Sequence, residues 1–156
     1  MLQKLVADGS IHARSGTAFA VTPKLRESYA EGDDDELAEV ALREAALASL
    51  RLLAAEGSGV DLPPRRAVLL AEVDDATLRP DLDDAVVRLP GPIAIADVIA
   101  AYVDNADAEP AVMNAIVAVD AADLGDEDAE FTVGDAQDHD LAWYASQELP
   151  FLLELL

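Results

Sequence analysis

Residues 33–57 limit the possible folds of this sequence more than any other segment. Leucine and alanine recur there at helical spacing, and acidic residues crowd the first turn, where the helix dipole favours negative charge. Asp33 and, three residues later, Glu36 match a capping-box pattern that satisfies free backbone amides. Gly57 is a typical C-terminal stop. The segment predicts a helix over residues 34–56.

The remaining patterns predict an α+β fold. Residues 67–73 and 85–90 are apolar and rich in β-branched side chains, so we expect two adjacent antiparallel strands. The long helix would pack on them through its leucines, Leu47 and Leu50 among them. The predicted architecture is a single domain, residues 1–156, with a small mixed sheet packed by helices. The other predicted elements are helices at 1–8, 23–29 and 109–119, a strand at 17–22, a helical turn at 95–98 before a strand ending at Val103, loops at 57–66, 74–84 and 121–131, and a C-terminal helix at 135–149 that Pro150 interrupts.

The charge of the chain is strongly acidic and unevenly distributed. The 32 acidic residues and 10 Lys and Arg give a net charge of −22, and no Lys or Arg follows Arg88. Because such a surface repels phosphate, we expect no binding of DNA or RNA. Three explanations stay open: a solvated acidic surface that reflects codon bias or a salty cytoplasm, docking to a basic partner protein, and mimicry of a nucleic acid.

No motif for catalysis or cofactor binding is recognisable. The absence of cysteine excludes disulfides, thiolate catalysis and zinc–sulfur sites. The glycines at 57 and 59 follow a helix, unlike a phosphate-binding loop, and the loop at Gly125 lacks the ligand spacing of a calcium site. We therefore predict no cofactor, no specific metal site and no catalytic residue, and leave open weak cation binding by the acidic loops.

The sequence shows neither a secretory signal nor an apolar run long enough to span a membrane. We therefore expect a cytoplasmic protein without membrane contacts. The apolar tail PFLLELL at 150–156 would be an aggregation site in water. It should pack on the core or mediate a homodimer.

The segment DHDLAWYASQEL, residues 138–149, gathers rare side chains in a chain that is 4% aromatic. On a helix, its leucines and alanines would face the core. His139, Trp143 and Gln147 would align on the opposite side at intervals of four. These three residues are the candidate docking or ligand patch, in which Trp143 supplies an apolar surface and His139 a titratable donor. The interpretation that we favour energetically is that Trp143 is buried beneath another segment.

Three segments carry a resemblance to a known family: FAVTPKLRESYAEGDDDELAEVALREAALASLRLLA, DNADAEPAV and DHDLAWYASQEL. They resemble a family of small acidic actinobacterial proteins of unknown function, over residues 19–149. The resemblance implies the cytoplasm of a high-GC bacterium and transfers no active site. Members of that family begin with a short apolar strand, so we expect a strand upstream of residue 1 that this sequence lacks.

Two functional hypotheses follow. The first is a non-enzymatic acidic protein-interaction or regulatory protein, favoured by the charge asymmetry and the lack of a catalytic motif. The alternative is a small hydrolase-like enzyme or ligand-binding protein with a pocket at the C-terminal helix, where His139 and Trp143 lie.

Overall fold

The computed structural model describes residues 2–29, 31–56 and 64–155. The chain divides into two compact units. The first unit comprises Met1–Ala45 and Leu70–Ile99, and the second comprises Ala46–Leu69 and Ala100–Leu156. The single domain expected from the sequence stays a prediction.

Short helices and short strands alternate along the described residues. The helices are α1 (Leu2–Asp8), α2 (Pro23–Ser28), α3 (Asp34–Glu56), α4 (Glu109–Asp123), α5 (Glu127–Gln137) and α6 (Leu149–Leu155). The strands are β1 (Ser10–Ile11), β2 (Thr17–Phe19), β3 (Ala67–Ala71), β4 (Thr77–Leu78), β5 (Val86–Arg88), β6 (Ile93–Ala94), β7 (Val98–Val103) and β8 (Ala142–Ala145). Short 3-10 turns occupy 14–16, 95–97, 106–108 and 146–148.

This arrangement confirms the predicted α+β class, with the strands divided among three small sheets. The strand orders are β1-β6, β2-β5-β4 and β3-β7-β8. The pairs β1–β6, β2–β5, β4–β5 and β7–β8 are antiparallel. None of the helices in the described ranges is both long and apolar enough to cross a bilayer.

The predicted pairing of residues 67–73 with 85–90 is wrong. A strand has only two hydrogen-bonding edges, and β5 uses one for β2 and the other for β4, while β3 joins β7. In register, Val87 lies between Ala18 and Leu78. The segment 74–84, predicted as a loop, contains β4 and supplies this nearby partner. An apolar pattern identifies a strand but does not specify its neighbours.

Capping residues correctly predicted the starts of α2 and α3. The amide of Leu25 donates to Thr22 Oγ1 at 3.1 Å, so Thr22 caps α2 ahead of Pro23 in the first turn. The amide of Glu36 donates to Asp33 Oδ1 at 2.9 Å, which confirms Asp33 as the cap of α3. Both helices deliver leucines to one small core, whose buried members are Leu25, Leu37 and Ala85.

The core of the second unit is built mainly by helices. Leu50 is fully buried there, in a cluster of residues from α4 and α5. The prediction that α3 packs on a sheet through its leucines holds for Leu37, which clusters with Ala85 and Phe19 of β2, whereas the buried residues clustered with Leu50 are helical. The buried members of this cluster are Leu50, Ala108, Val112, Ala115, Val119, Val133 and Ala136.

The predicted acidic loop at 121–131 is mostly helical. The helix α4 extends to Asp123, and α5 begins at Glu127. The amide of Ala129 donates to Asp126 Oδ1 at 2.9 Å, so Asp126 caps α5. The following acids lie in its first turn, where the partial positive charge of the helix end stabilises them.

The predicted C-terminal helix at 135–149 is wrong beyond Gln137. Residues 142–145 form β8, because they pair with β7 through Ala100 opposite Ala145 and Tyr102 opposite Trp143. Pro150 lies in the first turn of α6, where its missing amide hydrogen costs nothing, so a helix begins here. The apolar tail is partly buried: Leu152 is inside and Phe151 is exposed. The predicted loop at 57–66 lies largely outside the described residues, which omit 57–63.

Replacing Leu50 with alanine should lower the free energy of unfolding by about 2–5 kcal/mol, since the truncated side chain leaves a cavity. Leu52→Ala on the same helix is the matched control, because Leu52 is 37% exposed. Its cost should stay below about 1 kcal/mol. Urea denaturation followed by circular dichroism measures both, and equal losses would contradict this placement of Leu50.

Candidate interaction surface

A buried ion pair lies inside the second unit. The side chains of Arg66 and Asp104 are 1% and 0% exposed. Arg66 Nη2 donates to Asp104 Oδ1 at 2.7 Å, and Arg66 Nε donates to Oδ2 at 2.9 Å. The backbone amide of Arg66 adds a 2.7 Å bond to the same Oδ2. This bidentate geometry satisfies both carboxylate oxygens, which offsets the cost of removing two charges from water.

The same guanidinium fixes the chain where α5 ends. Arg66 Nη1 donates to Gln137 Oε1 at 3.0 Å, and Nη2 donates to the backbone oxygen of His139 at 2.9 Å. These bonds hold the turn that leads from α5 to β8. The position of His139 therefore follows from a contact with a residue 73 positions earlier, which periodicity cannot reveal.

The structure does not align the three residues predicted as a patch. His139 lies half-buried in the turn after α5, Trp143 lies on β8, and Gln147 is exposed in the 3-10 turn at 146–148. The predicted row required one turn of α-helix per interval, whereas an extended chain moves about 13 Å in four residues. The helical row is therefore absent, and the role of these residues in binding stays a prediction.

The favoured burial of Trp143 is wrong. Its side chain is 56% exposed. Strand side chains alternate between the two faces of a sheet, so Trp143 shares a face with Tyr102, its direct partner on β7. The sequence placed Trp143 on a helix and therefore could not predict this environment.

The cations of the second unit are all ion-paired. Its sequence contains three arginines and sixteen Asp and Glu. Arg51 pairs with Asp123 at 2.8 Å, Arg65 with Glu109 at 2.9 Å, and Arg66 with Asp104 at 2.7 Å. Each partner belongs to the same unit, so no cation of this unit is left to offset its remaining carboxylates.

An apolar row runs along the outer side of α4. Met113, Val117 and Leu124, which we call the α4 stripe, are 58%, 86% and 90% exposed. A spacing of four residues places Met113 and Val117 on one side of the helix, and Leu124, seven residues further on, is the residue that caps its end. The buried residues Val112 and Val119 face the core on the other side. The sequence did not single out this stripe, because α4 is apolar nearly all round and its pattern does not show which side faces water.

Exposed acidic side chains lie on both α4 and α5, the pair of contacting helices that we call the helical hairpin. Asp120 lies in the same row, between Val117 and Leu124, and is exposed. On α5, Glu127, Glu130 and Asp135 are also exposed. The helical hairpin thus exposes both large apolar groups and negative charge.

The first unit contains an open cleft of about 490 Å³. Residues 72–75, 89–93 and Asp97 line it, and four of them are acidic. No group of acidic or histidine side chains in the described part of the chain is arranged to hold a metal ion. The cleft is lined by none of the three residues predicted as a patch.

Residues 1–153 match a family of unknown function (DUF6912). The chain belongs to this family. The predicted membership in a family of unknown function is confirmed, and its actinobacterial origin stays a prediction. Neither a curated protein nor a solved structure matches the chain. Family membership therefore assigns no activity, and the functional argument depends on the surfaces described above.

Truncating the buried acid by Asp104→Ala should lower the free energy of unfolding by about 3–5 kcal/mol, because Arg66 is left charged and unpaired inside the protein. The matched control is Asp123→Ala, which breaks a pair whose side chains are 48% and 43% exposed. That change should cost no more than about 1 kcal/mol. Chemical denaturation of both variants tests the difference, and similar small losses would show that the Arg66–Asp104 pair is dispensable.

The fluorescence of Trp143, the only tryptophan, should be red-shifted and readily quenched by acrylamide, because the indole is exposed to water. Unfolding in urea should change its emission wavelength little. A blue-shifted spectrum that resists acrylamide would show that the side chain is covered in solution.

Proposed function

We propose that this protein is a non-enzymatic protein-interaction or regulatory protein of the bacterial cytoplasm that docks a basic partner protein through its second unit. The observation that carries the proposal is the internal pairing of all three arginines of that unit. The exposed acids of α4 and α5 therefore present a negative surface that no neighbouring cation of the unit neutralises.

The physical consequence is selective attraction of cations. Uniform negative charge raises the rate at which a basic protein arrives and repels phosphates of nucleic acids and anionic membranes. The family resemblance supports the cytoplasmic setting. A homodimer through the apolar tail has less support, because Leu152 of the tail is already buried within the chain.

The alternative of a hydrolase-like enzyme or ligand-binding protein has less support. It depends on a pocket at a helix spanning 135–149, and that segment forms the end of α5, a turn and β8. The cleft of the first unit is lined by other residues.

The test compares two variants with equal charge. The triple variant Asp120→Asn, Glu130→Gln, Asp135→Asn removes three exposed acids from the helical hairpin. The matched control Asp8→Asn, Glu39→Gln, Asp75→Asn removes three exposed acids from the first unit. Binding of a fluorescent lysine-rich peptide is followed by anisotropy at low and physiological salt, with duplex DNA as a second probe.

The hairpin variant should lose about tenfold or more in affinity, while the control changes little, because its three acids do not belong to the proposed docking surface. Affinity should fall as salt increases, and DNA should not bind. Equal losses in both variants would show that net charge alone attracts the peptide. No binding at low salt would overturn the proposal.

A further inference from the structure

The α4 stripe presents three large apolar side chains to water in an otherwise acidic surface. Its exposure of 58% to 90% far exceeds that of the core side of the same helix. From Met113 to Leu124, which follows the last residue of α4, the stripe covers twelve residues, or about 16 Å at the rise of a helix. An apolar strip of this length matches about three turns of a partner helix.

Asp120 determines which helix could cover the stripe. It lies in the same row, and the three arginines of the unit pair with other acids. A purely apolar partner would bury the Asp120 carboxylate without a counter-charge, which is strongly unfavourable. A partner with a lysine or arginine at this level would bury it as an ion pair instead.

A second copy of this chain fits the stripe poorly. Two stripes facing each other would bring Asp120 close to its own equivalent. Within the described part of the second unit, all cations are already paired, so neither second unit would supply a counter-charge. Charge complementarity therefore favours a cationic occupant.

We propose that the α4 stripe binds a basic amphipathic helix of the partner protein, with its apolar side on Met113, Val117 and Leu124 and a cation paired with Asp120. This inference rests on the proposed docking function and specifies its surface. Met113 suits the role, because its flexible thioether adapts to different apolar surfaces.

The probe is a synthetic amphipathic peptide of lysine and leucine, with its leucines on one helical side. A scrambled peptide of the same composition is the matched control for charge. The chain has only two methionines, so ¹³C-methyl NMR of the full chain reports Met113 with little overlap. Calorimetry at physiological salt measures the affinities of both peptides.

The amphipathic peptide should bind about tenfold or more tightly than the scrambled one and shift the Met113 methyl signal saturably. The double variant Met113→Gln, Val117→Thr should abolish this preference without changing net charge. Asp120→Asn should weaken the amphipathic peptide selectively. Leu78→Thr, which replaces an exposed leucine of the first unit, is the control and should keep the preference.

Several outcomes separate this inference from the proposed function. Equal, salt-dependent binding of both peptides would overturn the role of the stripe and leave acidic docking intact. No binding of either peptide at low salt would overturn both. A dimer in sedimentation experiments that the double variant abolishes would identify a second copy as the occupant and overturn the basic-helix proposal.

Discussion

The Arg66–Asp104 ion pair joins three parts of the second unit that are far apart in sequence. Arg66 precedes β3, Asp104 follows β7, and the turn at 137–139 completes the coordination of the guanidinium. Removing either charge would leave the other buried without a partner, which typically lowers the free energy of unfolding by about 3–5 kcal/mol. The pair thus fixes where α5 stops and the chain turns towards β8.

The small number of cations in the second unit also determines the charge of its surface. The second unit has three arginines, and all of them are held by acids of that unit. Exposed carboxylates of α4 and α5, such as Asp120 and Glu130, are therefore not offset by these arginines, which supports the proposed docking of a basic partner. Exposed apolar side chains on α4 would add a short-range attraction that charge alone does not provide, and the two features together support the proposed docking surface.

The sequence predicted the elements whose signals are local. The helices α1, α2 and α3 were predicted with close boundaries, and α4 was predicted with the correct start but an end four residues too early. The starts of α2, α3 and α4 were predictable because caps and first-turn prolines act within a few residues. The turn at 95–97 and the strand ending at Val103 were also confirmed. The predictions failed where the same residue type is common in two kinds of local structure, a loop and the first turn of a helix. Acids at 126–130 suggested a loop but begin α5, and Pro150 suggested a helix end but lies in a first turn.

At the candidate site too, some properties follow from the sequence alone and others depend on tertiary contacts. Composition and order alone established the acidic charge, its concentration after Arg88 and the absence of thiol chemistry, since these properties do not depend on folding. Trp143 is exposed because residues 142–145 pair with β7 as a strand instead of forming a helix. The side of α4 that faces water is determined by the packing of its other side against Leu50. Both outcomes depend on contacts between distant residues, whose energies no local pattern contains. The helical periodicity at 135–149 was compatible with a helix, but hydrogen bonds to β7 and to Arg66 stabilised a turn and a strand instead.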